Sequence, residues 1–268
     1  MGCATNERFV TIRSGGRIWA VGAIHGEASR LAELHAGIEE RFEAGDRIVY
    51  LGNFLGLGRE VAATIDEMVA FRSALLAVPH MNVCDVVYLR GSQEEMWQKL
   101  FRLHLSVGPA DVLAWMMDRG VRETLAAYGW GAVQAQERVT NGSQEIARWL
   151  SEVRGRMELY PGHQELLASV RQAAFTDDGA LLFVNSGLDP ARPIDTQRDA
   201  FWWGADQLAQ LTPPYAEYKK IIRGFDPSQG GVNLDDYVAT VDGGAGFGGT
   251  LTAACFDSEG RALGRIDA

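Results

Sequence analysis

Cysteine is scarce in this chain of 268 residues, and the three cysteines lie far apart at Cys3, Cys84 and Cys255. None of them belongs to a closely spaced pair. Structural zinc sites that use cysteine are built on such pairs, so the sequence predicts no zinc site of this kind.

Long apolar runs are also missing. No stretch approaches the length that a membrane-spanning helix requires, and the first residues lack the apolar segment of a secretory signal. We therefore expect no association with a membrane and a cytoplasmic location.

Basic residues are outnumbered. The chain has 25 Lys and Arg against 35 Asp and Glu, which gives a formal net charge of −10. Nucleic-acid-binding proteins neutralise phosphates with basic side chains, so the charge balance argues against that class. With 47% hydrophobic and 22% charged residues, the composition is that of a soluble globular protein. We expect a single domain over residues 1–268.

Apolar patterns along the first ninety residues alternate between strands and helices. A hairpin is predicted from residues 8–13 and 17–21, followed by helices over 31–42 and 59–78 and by strands at 47–51 and 83–89. A helical segment is predicted from about 94 to 170, and strands return after it. This alternation favours an α/β sheet whose working loops follow the carboxyl ends of the strands.

Glycine-rich loops follow five of the predicted strands, at residues 22–26, 52–58, 91–94, 185–190 and 224–227. Glycine allows sharp turns and a close approach of the backbone to a ligand. None of the five has the spacing of a P-loop or a dinucleotide fingerprint.

In order and spacing, the loops resemble the motifs of calcineurin-like phosphoesterases, and most closely those of bacterial serine/threonine protein phosphatases and diadenosine tetraphosphatases. That family carries Gly-Asp-x-His-Gly, Gly-Asp-x-x-Asp-Arg-Gly, Gly-Asn-His-Glu, His-Ala-Gly and Gly-His-Thr. Residues 241–253 also match its later glycine-rich strands. The resemblance implies a four-layer αββα sandwich of the metallophosphoesterase type, in which residues 94–170 form a helical insertion. It also implies two divalent metal ions, such as manganese or iron and zinc.

The positions that match the family's chemical groups have changed. Ala23 and Asn53 replace metal-binding aspartates, Gly56 replaces the aspartate that orients the general acid, Leu57 replaces the phosphate-binding arginine, Ser92 replaces the asparagine ligand, Gln93 replaces the general-acid histidine, and Asn185 and Phe225 replace histidine ligands. Only His25 is unchanged. One imidazole and two amides do not offset the repulsion between two neighbouring divalent cations.

The resemblance therefore predicts a pseudophosphatase that has no catalytic residue and no metal, and that acts by binding another protein. One alternative is an active phosphoesterase with a rebuilt site that uses Asp189, Asp226 or Glu94. Another is a sensor that binds a neutral or nucleotide-like ligand without turnover. The apolar residues at 54, 55 and 57 either form a binding surface or fill the vacated site.

Overall fold

Two five-stranded sheets form the centre of the structure, a computed structural model that describes residues 8–268. The first sheet has the order β1 (Phe9–Ile12), β5 (Ala173–Thr176), β6 (Leu181–Val184), β7 (Lys220–Arg223) and β8 (Val238–Thr240). The second has the order β10 (Ala262–Asp267), β9 (Thr252–Phe256), β2 (Ile18–Val21), β3 (Arg47–Tyr50) and β4 (Val86–Tyr88). Both sheets are mixed, because each contains parallel and antiparallel pairs.

The helices lie on the outer faces of the sheets. Their bounds are α1 Ala28–Glu39, α2 Val61–Leu76, α3 Ser92–Leu100, α4 Pro109–Met116, α5 Arg122–Ala127, α6 Ala132–Val139, α7 Ser143–Met157, α8 His163–Ser169, α9 Ala200–Trp203 and α10 Ala205–Leu208. Helices α3 to α8 stand between β4 and β5 and correspond to the predicted helical segment. Within the described part of the chain, no helix is both long enough and apolar enough to span a bilayer.

Alternation along the strands explains the four layers. Leu181 and Phe183 of β6 lie in the core between the two sheets, whereas Leu182 and Val184 pack on the opposite face with residues of α9 and α10. On the second sheet, Tyr50 packs with residues of α1 and α2. A strand that is buried on both faces is largely apolar, and β6 is apolar at every position. The predicted α/β fold with two packed sheets is confirmed.

The predicted hairpin of residues 8–13 and 17–21 is wrong. β1 pairs in parallel with β5, while β2 pairs with β3 and β9 in the other sheet. Ile12 and Ile18 both lie in the core between the sheets, so the two strands face each other across it. Two strands joined by a short turn have the same sequence pattern whether they pair in one sheet or lie in two sheets that pack face to face.

Candidate functional site

The five predicted loops meet at the carboxyl ends of β2, β3, β4, β6 and β7. The backbone amide of His25 donates to the Asn53 carbonyl at 2.7 Å, and that of Ala23 donates to the Gly224 carbonyl at 2.9 Å. The amide of Phe225 in turn donates to the Asn185 carbonyl at 3.0 Å. Residues more than a hundred positions apart are thus joined in one hydrogen-bonded cluster.

Asn53 connects the second loop to the third. Its Oδ1 accepts hydrogen bonds from Ser92 Oγ at 3.2 Å and from the backbone amide of Gln93 at 3.1 Å. These two bonds orient the amide, and they leave its Nδ2 buried without a partner. The oxygen that would have to face a metal is therefore already used inside the protein.

Gln93 takes the space that a side chain at position 56 would need. Its Nε2 donates to the Arg119 carbonyl at 2.7 Å. A Cβ atom on Gly56 would lie 2.1 Å from Gln93 Oε1, and Gly56 has a φ of +77°. An aspartate at this position would be strained in its backbone and would collide with Gln93.

Asn185 and Ala23 lie buried on the other side of the cluster. Asn185 Nδ2 donates to the Leu51 carbonyl at 2.7 Å, which leaves Oδ1 buried without a partner. Ala23 has only a methyl group to offer. Leu57 is half-buried at a φ of +55° and offers no charge for a phosphate group.

His25 is enclosed by aromatic rings. Phe225 and Phe247 approach it edge-on, with ring centroids at 5.5 and 5.6 Å. The imidazole is 1% exposed, and neither ring nitrogen has a well-formed hydrogen bond. Burial lowers the pKa of His25 to about 4, and the backbone of Leu55 opposes this shift with a smaller effect. The histidine is thus held neutral.

We expect His25 to make stability depend on pH. Because folding lowers its pKa from 6.5 to about 4, the unfolded chain binds a proton between these values and the folded chain does not. The free energy of unfolding should therefore fall as the pH drops from 7 to 4, by about 3 kcal/mol from this residue. Urea denaturation at a series of pH values measures the effect.

His25→Asn should remove this pH-dependent part of the stability, because asparagine does not titrate. Asparagine is chosen because it tolerates the positive φ of this position. His80→Asn is the matched control, because His80 also has a positive φ and is exposed. An unchanged pH dependence in His25→Asn would contradict the assignment.

Glu94 holds the loop of residues 53–55, a role that the sequence analysis missed. Its buried carboxylate accepts backbone hydrogen bonds from Asn53 at 2.8 Å, Phe54 at 3.0 Å, Leu55 at 3.1 Å and Gly91 at 2.7 Å. Burial raises the pKa of Glu94, and the backbone N–H groups of Leu55, Gly91 and Asn53 oppose that shift. A glutamate at the third position of a helix is a capping signal. The bond to Gly91 was visible in the sequence, but the other three were not.

The two other carboxylates of a rebuilt site are also engaged. Asp226 forms an ion pair with Arg223 at 2.9 Å and accepts from Ser228 Oγ at 2.7 Å. Asp189 forms an ion pair with Arg192 at 3.0 Å. Within residues 8–268, neither carboxylate contacts Glu94, so the structure does not bring two of these groups together as a general acid and a general base.

The residues present do not fit a pair of divalent cations. Of the matched positions, Ala23 and Phe225 offer no donor atom, and the Asn53 oxygen is already occupied. No group of three or more His, Cys, Asp or Glu side chains within residues 8–268 is arranged to hold a metal. Closely spaced cations need anionic oxygen ligands to offset their repulsion. None of the matched positions supplies one, and the carboxylates of Glu94, Asp189 and Asp226 are bonded to other groups of the protein.

Aromatic side chains surround the cluster. Phe54 and Leu55 are fully buried and fill its interior. At the surface, the Trp115 and Trp203 rings lie 6.2 Å apart, and the Arg119 guanidinium stacks 4.4 Å from the Trp115 ring. Arg119 is the residue whose carbonyl accepts the bond from Gln93, so this patch borders the cluster.

Comparison with known proteins gives a result for the fold alone. No protein-family model and no curated protein matches the sequence. Among solved structures, a proposed diadenosine tetraphosphatase is similar at 17% identity and a TM-score of 0.53, with 98% of this chain and 99% of that chain covered.

Two further structures have TM-scores below 0.5 and add no argument. One is a Saccharomyces cerevisiae serine/threonine phosphatase similar to human phosphatase PP5, at 14% identity and a TM-score of 0.46, with 90% of this chain and 72% of that chain covered. The other is a metallophosphoesterase from Sphaerobacter thermophilus, at 13% identity and a TM-score of 0.41, with 94% of this chain and 86% of that chain covered. The similarity to the proposed diadenosine tetraphosphatase structure shows that this chain has, over nearly its whole length, the same α/β fold with two mixed sheets.

Proposed function

We propose that this protein is a catalytically inactive phosphatase-like protein that acts by binding another protein. The observation that carries the proposal is the state of the ligand positions in the loops. Asn53 and Asn185 stand where anionic or imidazole ligands would be required, and both are bonded to neighbouring protein atoms. One polar atom of each amide is thus bonded inside the protein, to Ser92 and the Gln93 backbone for Asn53 and to the Leu51 carbonyl for Asn185.

The groups that would act on a substrate support the same proposal. A glutamine such as Gln93 cannot donate a proton to a leaving group at neutral pH, so it is no substitute for a general acid. Leu57 cannot form the paired hydrogen bonds by which arginine holds a phosphate group. The side chains that would bind the phosphate dianion and protonate the leaving group in the family's reaction are therefore both missing at the matched positions.

The aromatic patch beside the loops supports binding to a protein. Trp115 is 42% exposed, Trp203 is 46% exposed, and Phe247 above His25 is 49% exposed. Tryptophan and arginine are enriched among residues that dominate the binding energy of interfaces. Trp115 and Trp203 are in contact with each other, and exposed apolar patches of sufficient area mark protein-binding sites.

Metal content and hydrolysis test the loss of activity together. We expect protein purified without chelators to contain no stoichiometric manganese, iron or zinc, and to leave p-nitrophenyl phosphate and a phosphopeptide intact with added Mn²⁺. The melting temperature should be equal in EDTA and in Mn²⁺, because a ligand stabilises a protein only by binding its native state.

His25→Ala is the control for both measurements. Turnover that persists in this variant points to a contaminant or to a different site, and turnover from a different site on this chain would refute the proposal. Turnover or metal-dependent melting that the substitution abolishes would also refute it. The protein-binding part is tested by comparing partner recovery by the unmodified chain and by Trp115→Ser. Leu105→Ser is the matched control, because Leu105 is exposed elsewhere on the helical insertion.

A further inference from the structure

An exposed turn joins α6 to α7 in the helical insertion. It consists of Thr140, Asn141 and Gly142, and all three residues are exposed. Gly142 has a φ of +89°, and a Cβ atom there would have no neighbour within 4 Å. The backbone at Gly142 therefore has room to rotate, and glycine adds no side chain that would restrict it.

Neither of two neighbouring groups in this turn is locked in place. The backbone N–H of Gly142 has no hydrogen-bond acceptor within residues 8–268. In the same part of the chain, the Asn141 side chain makes one hydrogen bond, from Nδ2 to the Glu137 carbonyl at 3.0 Å. That bond is exposed and weak, because water competes for both groups. The Asn141 side chain is therefore free to turn toward the Gly142 nitrogen.

Asn141 differs from the other asparagines of the chain. It is the only one of the six that precedes a glycine. Asn185 precedes a small residue, Ser186, but both are buried, and the Ser186 amide donates to the Phe201 carbonyl at 2.8 Å. The remaining four precede larger residues, whose side chains crowd the backbone nitrogen that follows the asparagine. Only Asn141 combines an exposed side chain with an unhindered nitrogen.

We propose that Asn141 is a site of spontaneous deamidation. The Gly142 nitrogen, after losing its proton to a base in the solvent, attacks Cγ of Asn141 and closes a succinimide ring. The bond from Cγ to Nδ2 breaks, and ammonia leaves with a proton taken from water. A water molecule then opens the ring at either of its two carbonyls, which gives aspartate or isoaspartate.

The product changes both the charge and the backbone of the turn. A carboxylate at position 141 cannot donate to the Glu137 carbonyl, and it adds one negative charge to the formal net charge of −10. Isoaspartate also inserts a methylene group into the main chain between α6 and α7. Arg138 of α6 pairs with Glu145 and Glu152 of α7. The modification thus lies beside the ion pairs that join these two helices.

Incubation of the full chain at 37 °C and pH 8, followed by peptide mapping, tests the proposal. The peptide that contains Asn141 should gain about 1 Da and separate into an aspartate form and an isoaspartate form. Conversion at Asn141 should be at least roughly tenfold faster than at Asn185, since burial and hydrogen bonding protect the backbone around Ser186. The rate should rise with pH, because the attacking nitrogen must lose its proton.

Asn141→Gln is the matched variant, because glutamine keeps the amide but would have to close a larger ring. No product should form at position 141 in this variant, and circular dichroism checks that it is folded. Incubation in guanidinium chloride removes the protection of Asn185, so the excess of Asn141 over Asn185 should shrink at least roughly threefold. The proposal is overturned if Asn141 stays intact in the folded chain, if Asn185 converts equally fast there, or if Asn141→Gln gains the same mass at the same rate.

Discussion

Glu94→Ala is expected to lower the free energy of unfolding by about 4 kcal/mol or more, because it leaves four buried backbone N–H groups without an acceptor. These donors belong to Gly91 and to the three residues that follow Gly52. Domains have stabilities of only about 5–15 kcal/mol, so this is a large share of the total. Urea denaturation measures the change.

Glu165→Ala separates this effect from that of helix capping. Glu165 is the third residue of α8, as Glu94 is of α3, but it is exposed. An acidic residue in the first turn of a helix contributes at most about 1 kcal/mol through the helix dipole. Equal losses in the two variants would show that Glu94 acts only on its helix and does not hold the loop.

Gly22→Ala is expected to destabilise the fold by about 3 kcal/mol, because the added methyl group has no room. A Cβ atom on Gly22 would lie 1.8 Å from the carbonyl oxygen of Val241, which belongs to the backbone and cannot rotate away. Thermal and urea denaturation both report the loss.

Gly264→Ala is the matched control on strand β10. A Cβ atom there would have no neighbour within 4 Å, so we expect a change within about 0.5 kcal/mol. If Gly22→Ala is as stable as this control, the close approach of Gly22 to the Val241 backbone is not a constraint on the fold.

The same crowding accounts for other glycines in the loops. A Cβ atom would lie 2.4 Å from the His25 carbonyl at Gly58, and 2.2 Å from Asn53 Oδ1 at Gly91. At Gly224 it would lie 2.2 Å from the Leu51 Cβ. These glycines are needed for the backbones to pack, whether or not a metal is bound. Their presence is therefore compatible with a site that has no catalytic role.

The candidate site was predictable wherever the information is local. The five glycine-rich loops can be read directly from the sequence, and so can the residues at the positions matched to the family's motifs, such as Ala23 and Gln93. The role of Glu94 could not be read, since three of its four bonds join residues about forty positions away. The aromatic enclosure of His25 also depends on Phe247, which follows it by more than two hundred residues.

By itself, the sequence determined the strands, the buried faces of α1 and α2, the helical segment after β4 and the uncharged side chains at positions 23, 53, 92, 93, 185 and 225. Each of these follows from periodicity or from the identity of single residues. Only the tertiary structure decided that β1 and β2 belong to opposite sheets and that Gln93 occupies the space beside Gly56. These features depend on which distant atoms come within hydrogen-bonding or van der Waals distance, and a one-dimensional pattern contains no such distances.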